Sequence, residues 1–455
     1  MELRETELVR FRHTPVTSAR LAGLLLAGLA IVAVSIASLA FASSSAAASK
    51  VKIRITPANG QWVSSDSPRV RFRAPGRRPE YFACRIDGKK PRLCASPFRL
   101  RKLQQGRHRL RIDAFNANGK RIASGRLKYR IDSRPPRTRV RQSPKPLIRT
   151  IAREATMKLE LEKNRDTKRF ECQVDGQSWE RCTRRVSVSA LPGRHRIRMR
   201  AVDAAGNRDP DPVLRKWRVN RWEPDIRAAR RYARRRGGVV SFAVDVGWRT
   251  QGVRMHRRAR TASTIKVLLM AAYLRKRGVR HQRLRASEKH MLGIMIRHSD
   301  NGAASTVRNI VGSRAIRRVA RKGGMKRFRY SPVWGTCKVS ARDFAVFMRN
   351  LKTVIPKRHR GFAFRQLRKI TGYQRWGIGR VRHRGWSLFF KGGWGISDGG
   401  YGGVVSHQVA VLRHGKWRIG LAVLTQGNSS VTGGNGTLRG VAARLLRRLP
   451  ARPEG

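Results

Sequence analysis

The sequence predicts a multidomain protein: two all-β sandwiches in tandem, then an α+β domain in which helices flank an antiparallel sheet. An internal repeat, a two-residue hydrophobic period inside it, and a change of pattern near residue 222 carry that prediction. "YFACRIDGKKPRLC" is answered by "RFECQVDGQSWERC" 88 residues later, and "LQQGRHRLRIDAFNANGK" by "LPGRHRIRMRAVDAAGNR". Residues 50–134 and 135–221 are therefore read as two copies of one unit. Within each copy, runs such as "RVRFRA", "HRLRIDAF" and "HRIRMRAV" alternate apolar and polar residues, the period of a strand with one buried face. Asp-Gly, Pro and Asn-Gly steps supply the turns between them.

Residues 222–455 read differently. "VVSFAVDV", "HQVAVLRH" and "WRIGLAVLT" are strand-like, the last two joined by a tight hairpin at His414-Gly415. Residues 263–277, "SEKHMLGIMIRH", "SARDFAVFMRNL" and the closing "TLRGVAARLLRRL" are helical. Strands at both ends with helices between them predict a sheet whose first and last segments pair.

Residues 1–49 precede the repeats. Residues 21–42 carry no charge and are long enough to cross about 30 Å of hydrocarbon as a helix. They follow Arg4, Arg10, Arg12 and Arg20 and run into "SSSAAASK", so they read either as a signal peptide or as an uncleaved membrane anchor. Both readings export the rest of the chain, to be secreted or membrane-anchored and wall-associated. In that setting Cys84 and Cys94, and Cys172 and Cys182, each ten residues apart, read as two short disulfide loops. No His or Cys stands beside them at zinc spacing, so no metal site is expected, and no cofactor. Cys337 reads as a packed free thiol.

The formal charge is +77, from 103 Lys+Arg against 26 Asp+Glu. Such a chain is drawn to polyanions: nucleic acid, anionic lipid or an anionic cell-wall polymer. The basic residues are scattered, which also fits arginine-rich coding over solvated surfaces. No groove-reading helix or aromatic stacking set marks a specific nucleic-acid binder. Anionic wall polymers are the expected polyanionic partner.

In the repeats, F-x-C-x-x-D-G, a second Cys, L-x-x-G-x-H and A-x-D-x-A-G-N resemble bacterial Ig-like repeats of surface proteins. The second copy holds the pattern fully; the first has Asn116 and Lys120 in place of the Asp and Asn. The resemblance implies spacer or adhesion modules.

In the third domain "TASTIKVLLM" places Ser263 and Lys266 on one helical face. The run that follows is apolar all round, so the helix is expected to be buried and to end near Gly278. A buried amine loses solvation and its pKa falls, leaving a base able to take the serine proton. "HSDNGAAS" adds Ser299, Asp300 and Asn301, and "FFKGGWG" adds Lys391, Gly392, Gly393 and Trp394. In this order the elements resemble S-x-x-K, S-D-N and K-T-G of class A β-lactamases and penicillin-binding proteins. The resemblance spans about residues 235–445 and implies an acyl-enzyme mechanism acting on D-alanyl wall peptides or β-lactams. It makes Ser263 the nucleophile, Lys266 its proton acceptor and Ser299 the proton relay. Asn301 would hold Lys266 and the substrate amide, Lys391 would face the substrate carboxylate, and Gly392 and Gly393 would let an extended substrate approach. The N–H groups of Ser263 and Trp394 would form the oxyanion hole.

Three departures stand out. Gly392 replaces the threonine of K-T-G, the 36 residues from Ser263 to Ser299 are fewer than in typical class A enzymes, and no Asp or Glu occurs between Asp300 and Asp343. The water-activating glutamate of class A enzymes thus has no counterpart, and efficient deacylation is not expected. Asp300 is read as a loop-fixing residue. Asp343 in "SARD" reads as a capping-box acid after Ser340, and Glu288 as a helix-opening acid. Trp334, Trp376, Trp386 and Trp394 are candidates for a cleft lining, against core packing. The alternative to an enzyme is a weak or inactive relative serving as a wall-binding module.

Overall fold

The computed structural model describes residues 10–11, 53–56, 58–76, 78–397 and 402–454. The apolar segment 21–42 and Asp398 lie outside them. The chain divides into two compact units. The first holds both repeats to Trp217, except Leu147–Ala155 and Leu191–Gly193, and the second holds those two segments and everything from Arg218.

In the first repeat, Tyr81–Ile86, Gly106–Phe115 and Arg121–Ile131 form the centre of a five-stranded sheet, with a three-stranded sheet of Arg54–Thr56, Arg69–Arg73 and Phe98–Arg99. Arg69–Arg73 alternates exposed arginines with buried Val70 and Phe72, as the two-residue period requires. Val70, Phe72, Cys84, Leu110, Ile112 and Leu127 share one core. In the second repeat Arg169–Val174 pairs with Glu180–Cys182 on one side and with Gly193–Val202 on the other.

The repeated signature has a mechanical reason. Asp87-Gly88 and Asp175-Gly176 all take positive φ at the centre of a tight turn, closed by Lys89 N–H on Ile86 O and by Gln177 N–H on Val174 O. The turn aspartate then reaches the G-R-H-R segment. Asp87 Oδ2 lies 2.6 Å from His108 Nδ1 and Asp175 Oδ2 lies 2.8 Å from His195 Nδ1. Each other carboxylate oxygen accepts the next backbone N–H, of Arg109 or Arg196, at 2.8 Å. The first copy's departure is absorbed in the same spirit: Asn116 Oδ1 accepts the Lys120 N–H at 2.9 Å, where Asp203 Oδ1 accepts that of Asn207 at 2.8 Å. Both cysteine pairs are bonded, Cys84 to Cys94 and Cys172 to Cys182.

In the second unit five strands, β1 (Val239–Asp245), β2 (Thr250–Val253), β3 (Ser387–Ile396), β4 (Val404–His414) and β5 (Trp417–Asn428), form one antiparallel sheet in the order β2-β1-β5-β4-β3. The first and last strands pair as expected, Val239 against Gln426 through Asp245 against Gly420. The β4–β5 hairpin turns through Gly415, at φ 50°, and Lys416.

The helices are α1 (Ile226–Arg234), α2 (Lys266–Leu274), α3 (Ala286–Arg297), α4 (Asn301–Lys322), α5 (Ala341–Val354), α6 (Arg360–Arg368) and α7 (Val431–Leu445). Every residue of α2 is buried, the consequence of a sequence with no polar face. It is preceded by a 3-10 turn, Ala262–Ile265, and stops at Leu274, earlier than Gly278, because the chain turns polar at Arg275. The last helix begins at Val431, ahead of the periodic run, because Ser430 caps it by accepting the Gly433 N–H.

The carboxylates are spent on architecture. Asp245 Oδ2 accepts from Arg349 Nε at 2.5 Å, tying β1 to α5. Glu288 closes a capping box with the Arg285 N–H at 2.7 Å and accepts the Tyr273 hydroxyl at 2.9 Å. Ser340 accepts the Asp343 N–H as a cap should. The Asp343 carboxylate, however, turns away to the N–H groups of Lys326 and Arg327, at 3.0 and 2.8 Å, and pins the loop after α4.

Gly420 on β5 is where α5 comes closest to the sheet: a Cβ there would stand 1.8 Å from Ala345 O and 3.0 Å from Arg349 N, both backbone atoms that cannot swing aside. Gly420→Ala is expected to cost more than about 3 kcal/mol or to prevent folding. An unchanged midpoint in urea would contradict this packing.

Candidate active site

Five segments converge at one end of the sheet. The 3-10 turn brings Ser263, α2 begins with Lys266, the turn between α3 and α4 brings Ser299, α4 begins with Asn301, and β3 brings Lys391 to Trp394. β3 is an edge strand, and Gly393 lies against the 3-10 turn so closely that a Cβ would stand 2.8 Å from Ser263 N and 2.9 Å from Thr264 N. Any side chain at 393 would fill the space in front of those two N–H groups.

Lys266 and Lys391 are both fully buried, and their amines meet at one hydroxyl. Ser299 Oγ is 3.2 Å from Lys266 Nζ and 3.0 Å from Lys391 Nζ. Lys266 also donates to Ser299 O at 2.5 Å and to Asn301 Oδ1 at 2.8 Å. Lys391 also donates to Gly392 O at 2.8 Å and to Gln374 Oε1 at 3.4 Å. Burial lowers the Lys266 pKa to about 8, with the Asp300 carboxylate opposing. Burial, reinforced by the Lys266 ammonium, holds Lys391 well below the usual lysine range. The Trp334 ring, 4.8 Å from Lys266 Nζ, favours the charged amine.

The half-buried Ser263 hydroxyl takes no hydrogen bond from Lys266. All three donors of the ammonium are engaged elsewhere, so the direct contact expected from the S-x-x-K spacing is absent. Ala262 and Ser299, beside the two serines, both adopt positive φ, 43° and 60°. Left-handed backbone at residues other than glycine is strained, and here it flanks the convergent groups. Asp300 caps α4 by accepting the Ala303 N–H at 2.6 Å.

Sequence reasoning missed Gln374, in a short 3-10 turn with no periodic signal. It is buried, receives Lys391 and donates to His298 O at 2.7 Å, linking β3 to the Ser299 turn. Three of the four tryptophans gather here. Trp376 and Trp394 meet edge to face at 5.9 Å, and the Trp334 loop is held by Thr261 Oγ1, which lies 3.2 Å from Trp334 O. Trp386 does not join them: it is buried and donates to Pro450 O at 2.9 Å. Cys337 is buried, bonded through Sγ to the Ser331 N–H at 3.3 Å, and burial pushes its thiol pKa up.

Residues 278–449 match the model of a family described as the Beta-lactamase enzyme family, and the second unit has that fold. Among solved structures, a β-lactamase from Sphaerobacter thermophilus is 21% identical, with 49% of this chain and 96% of that one covered at a TM-score of 0.41. A class A β-lactamase from Mycobacterium abscessus is 20% identical, with 49% and 98% covered at 0.41. A β-lactamase from Xanthomonas campestris is 18% identical, with 49% and 97% covered at 0.42. No curated protein matches the chain. The family match starts beyond Ser263 and Lys266, so the interest of those two residues rests on sequence motif and geometry.

The glycine that departs from K-T-G has a structural counterpart. A Cβ at Gly392 would stand 2.8 Å from both Cζ2 and Cη2 of Trp376, so the indole occupies the room a threonine would need. Gly392→Thr alone is expected to lose about 1–3 kcal/mol. The double variant Trp376→Ala/Gly392→Thr should cost less than the sum of its single changes. Thermal melts of the set measure the coupling, and strict additivity would argue against the contact.

Proposed function

We propose that the second unit is an exported active-site-serine acyl-transfer hydrolase of the β-lactamase and penicillin-binding type, taking D-alanyl wall peptides or β-lactams. The observation that carries the reading is Ser299 Oγ held between two buried amines, together with the Ser263 and Thr264 N–H groups left open by Gly393. Ser263 Oγ attacks the acyl carbon and its proton passes to the neutral Lys266 amine. The carbonyl oxygen becomes an oxyanion facing the N–H groups of Ser263 and Trp394. As the tetrahedral centre collapses, Ser299 gives its proton to the leaving nitrogen and recovers one from Lys266. Lys391 donates a hydrogen bond to Ser299 Oγ and so turns the Ser299 proton toward the leaving nitrogen. Burial weakens the expected role of Lys391 as a charged carboxylate anchor, and Gly392 brings no hydroxyl to replace it. The two repeats serve as spacers that hold the enzyme at the wall.

Incubation of the full chain with a penicillin, followed by peptide mass mapping, tests this. One adduct on Ser263 is expected, absent from Ser263→Ala. Lys266→Met should slow acylation by about 100- to 10,000-fold. Lack of an adduct at every concentration and pH would overturn the reading.

The base must be neutral to act, so the acylation rate should rise about tenfold per pH unit below 8 and level off above it. A rate independent of pH from 6 to 9 would exclude Lys266 as the base. Once formed, the adduct should persist, since no carboxylate between Asp300 and Asp343 can activate water. Rapid nitrocefin turnover would contradict that.

A second reading, a wall-binding module with lost activity, is favoured by one observation, the indole of Trp376 pressed on Gly392. It predicts wall binding that survives Ser263→Ala in a protein that forms no adduct.

A further inference from the structure

Away from Ser263, the second unit gathers cations where α5, α6 and the β4–β5 hairpin meet. Lys352 lies in the last turn of α5 and Arg360 opens α6. Arg413 and Arg418 stand directly opposite each other across β4 and β5. Like charges at directly opposed positions destabilise an antiparallel pair. The crowding lowers the Lys352 pKa, with the Arg418 guanidinium the first cause, then burial, Arg413 and Arg360. Arg418 is lowered by burial first, then by Arg413, Arg349 and Arg360.

Nothing within the unit relieves this. Among the described residues none of the four forms an ion pair, and the nearby Asp245 carboxylate is taken by Arg349 and by the Thr250 hydroxyl at 2.9 Å. The Nε–H groups of Arg413 and Arg418 are buried and make no hydrogen bond within the protein. A merely solvated arginine would swing outward; Arg413 instead lies over the rings of Phe364 and Phe389, 4.8 and 5.5 Å from their centroids. Those phenylalanines, edge to face at 4.9 Å, also line a cleft of about 830 Å³ whose other walls include Arg365, Arg368, Lys369 and Arg375. Two sets of four cations thus flank one aromatic pair.

We infer that this face binds the phosphates of a polyol-phosphate polymer, gripped by Lys352, Arg360, Arg413 and Arg418 and continued along the Arg365–Arg375 cleft. Planar guanidinium forks match phosphate oxygens. A ligand must carry repeated charges to engage both sets at once. Phe364 and Phe389 are only 5% and 7% exposed and Arg413 lies over both rings, which leaves little ring face on which a nucleobase could stack and favours a polymer without bases. The site stands on its own geometry and does not depend on the acyl-transfer reading.

The test is binding of a short glycerol-phosphate oligomer to the full chain at about 0.15 M salt. Lys352→Gln/Arg418→Gln should weaken it about tenfold, while the charge-matched Arg314→Gln/Arg321→Gln on α4 should change it less than about twofold. The first variant should also melt no lower than wild type, since it removes repulsion; a lower melting point would mark a structural role. If that variant fails to fold, Arg365→Gln/Arg368→Gln in the cleft is expected to give the same loss. Equal weakening by site and control variants, or no binding by wild type, would overturn the inference. So would tighter binding of a single-stranded DNA with the same number of phosphates.

Discussion

Two amines buried within reach of one hydroxyl cannot both keep their charge. Lys266 and Lys391 are far apart in sequence, yet both amines reach Ser299 Oγ, 3.2 and 3.0 Å away. Each is lowered by its own burial, and the second is lowered further by the first. The fold sustains this because every other donor of both amines is met by an oxygen: Ser299 O, Asn301 Oδ1, Gly392 O and Gln374 Oε1. Removing one of those acceptors would leave a buried N–H unmet, a loss of about 1–3 kcal/mol. The strained Ser299 backbone, at φ 60°, holds its oxygen and hydroxyl toward the same amine.

The same constraint separates the two halves of the chemistry. On the proposed reading, taking a proton from Ser263 needs a base that is neutral part of the time, which a lysine near pKa 8 would supply. Releasing the acyl group would then need a second base on water, whereas the loop that carries Trp334 sets an indole 4.8 Å from Lys266 Nζ and holds no carboxylate. That loop is no casual cover. Thirteen residues of chain from Met325 to Cys337 are tied down at one end by Asp343 and at the other by the Thr261 N–H on Cys337 O at 2.8 Å.

Much of this was legible from local pattern. Period-two runs and Asp-Gly turns located the repeats, and an apolar run without a polar face located α2, because those signals concern a residue and its chain neighbours. The convergence of Lys266, Ser299, Asn301 and Lys391 could be anticipated only through a resemblance, since the pairs lie 33 to 92 residues apart in sequence. Gln374 carried no signal at all, and Trp376 none beyond that of one tryptophan among four that could line a cleft or fill a core. They sit in short irregular turns, and their importance follows from what β3 brings beside them. Asp343 was half legible: Ser340 caps its N–H, but its carboxylate serves a loop sixteen residues earlier, which no local motif encodes. Trp386 illustrates the converse, an aromatic close in sequence to the site strand yet packed on the chain terminus.

The scarcity of acids links the site to the surface. Residues 222–455 contain eight Asp and Glu, and six of them are already committed: Glu223 to Arg221, Asp225 and Asp300 to helix caps, Asp245 to Arg349, Glu288 to a capping box and Asp343 to a loop. Each of those carboxylates contacts backbone N–H groups or one chosen arginine, so none is free to neutralise the remaining cations. A domain built this way can place an unopposed amine in its interior, because little negative charge is nearby to hold that amine protonated; only Asp300 does so for Lys266. It must also leave its outer cations to solvent ions or to a partner, and where two arginines face each other across a hairpin, solvent ions alone are a poor answer. The lowered lysine within and the crowded guanidiniums without are thus two results of one composition.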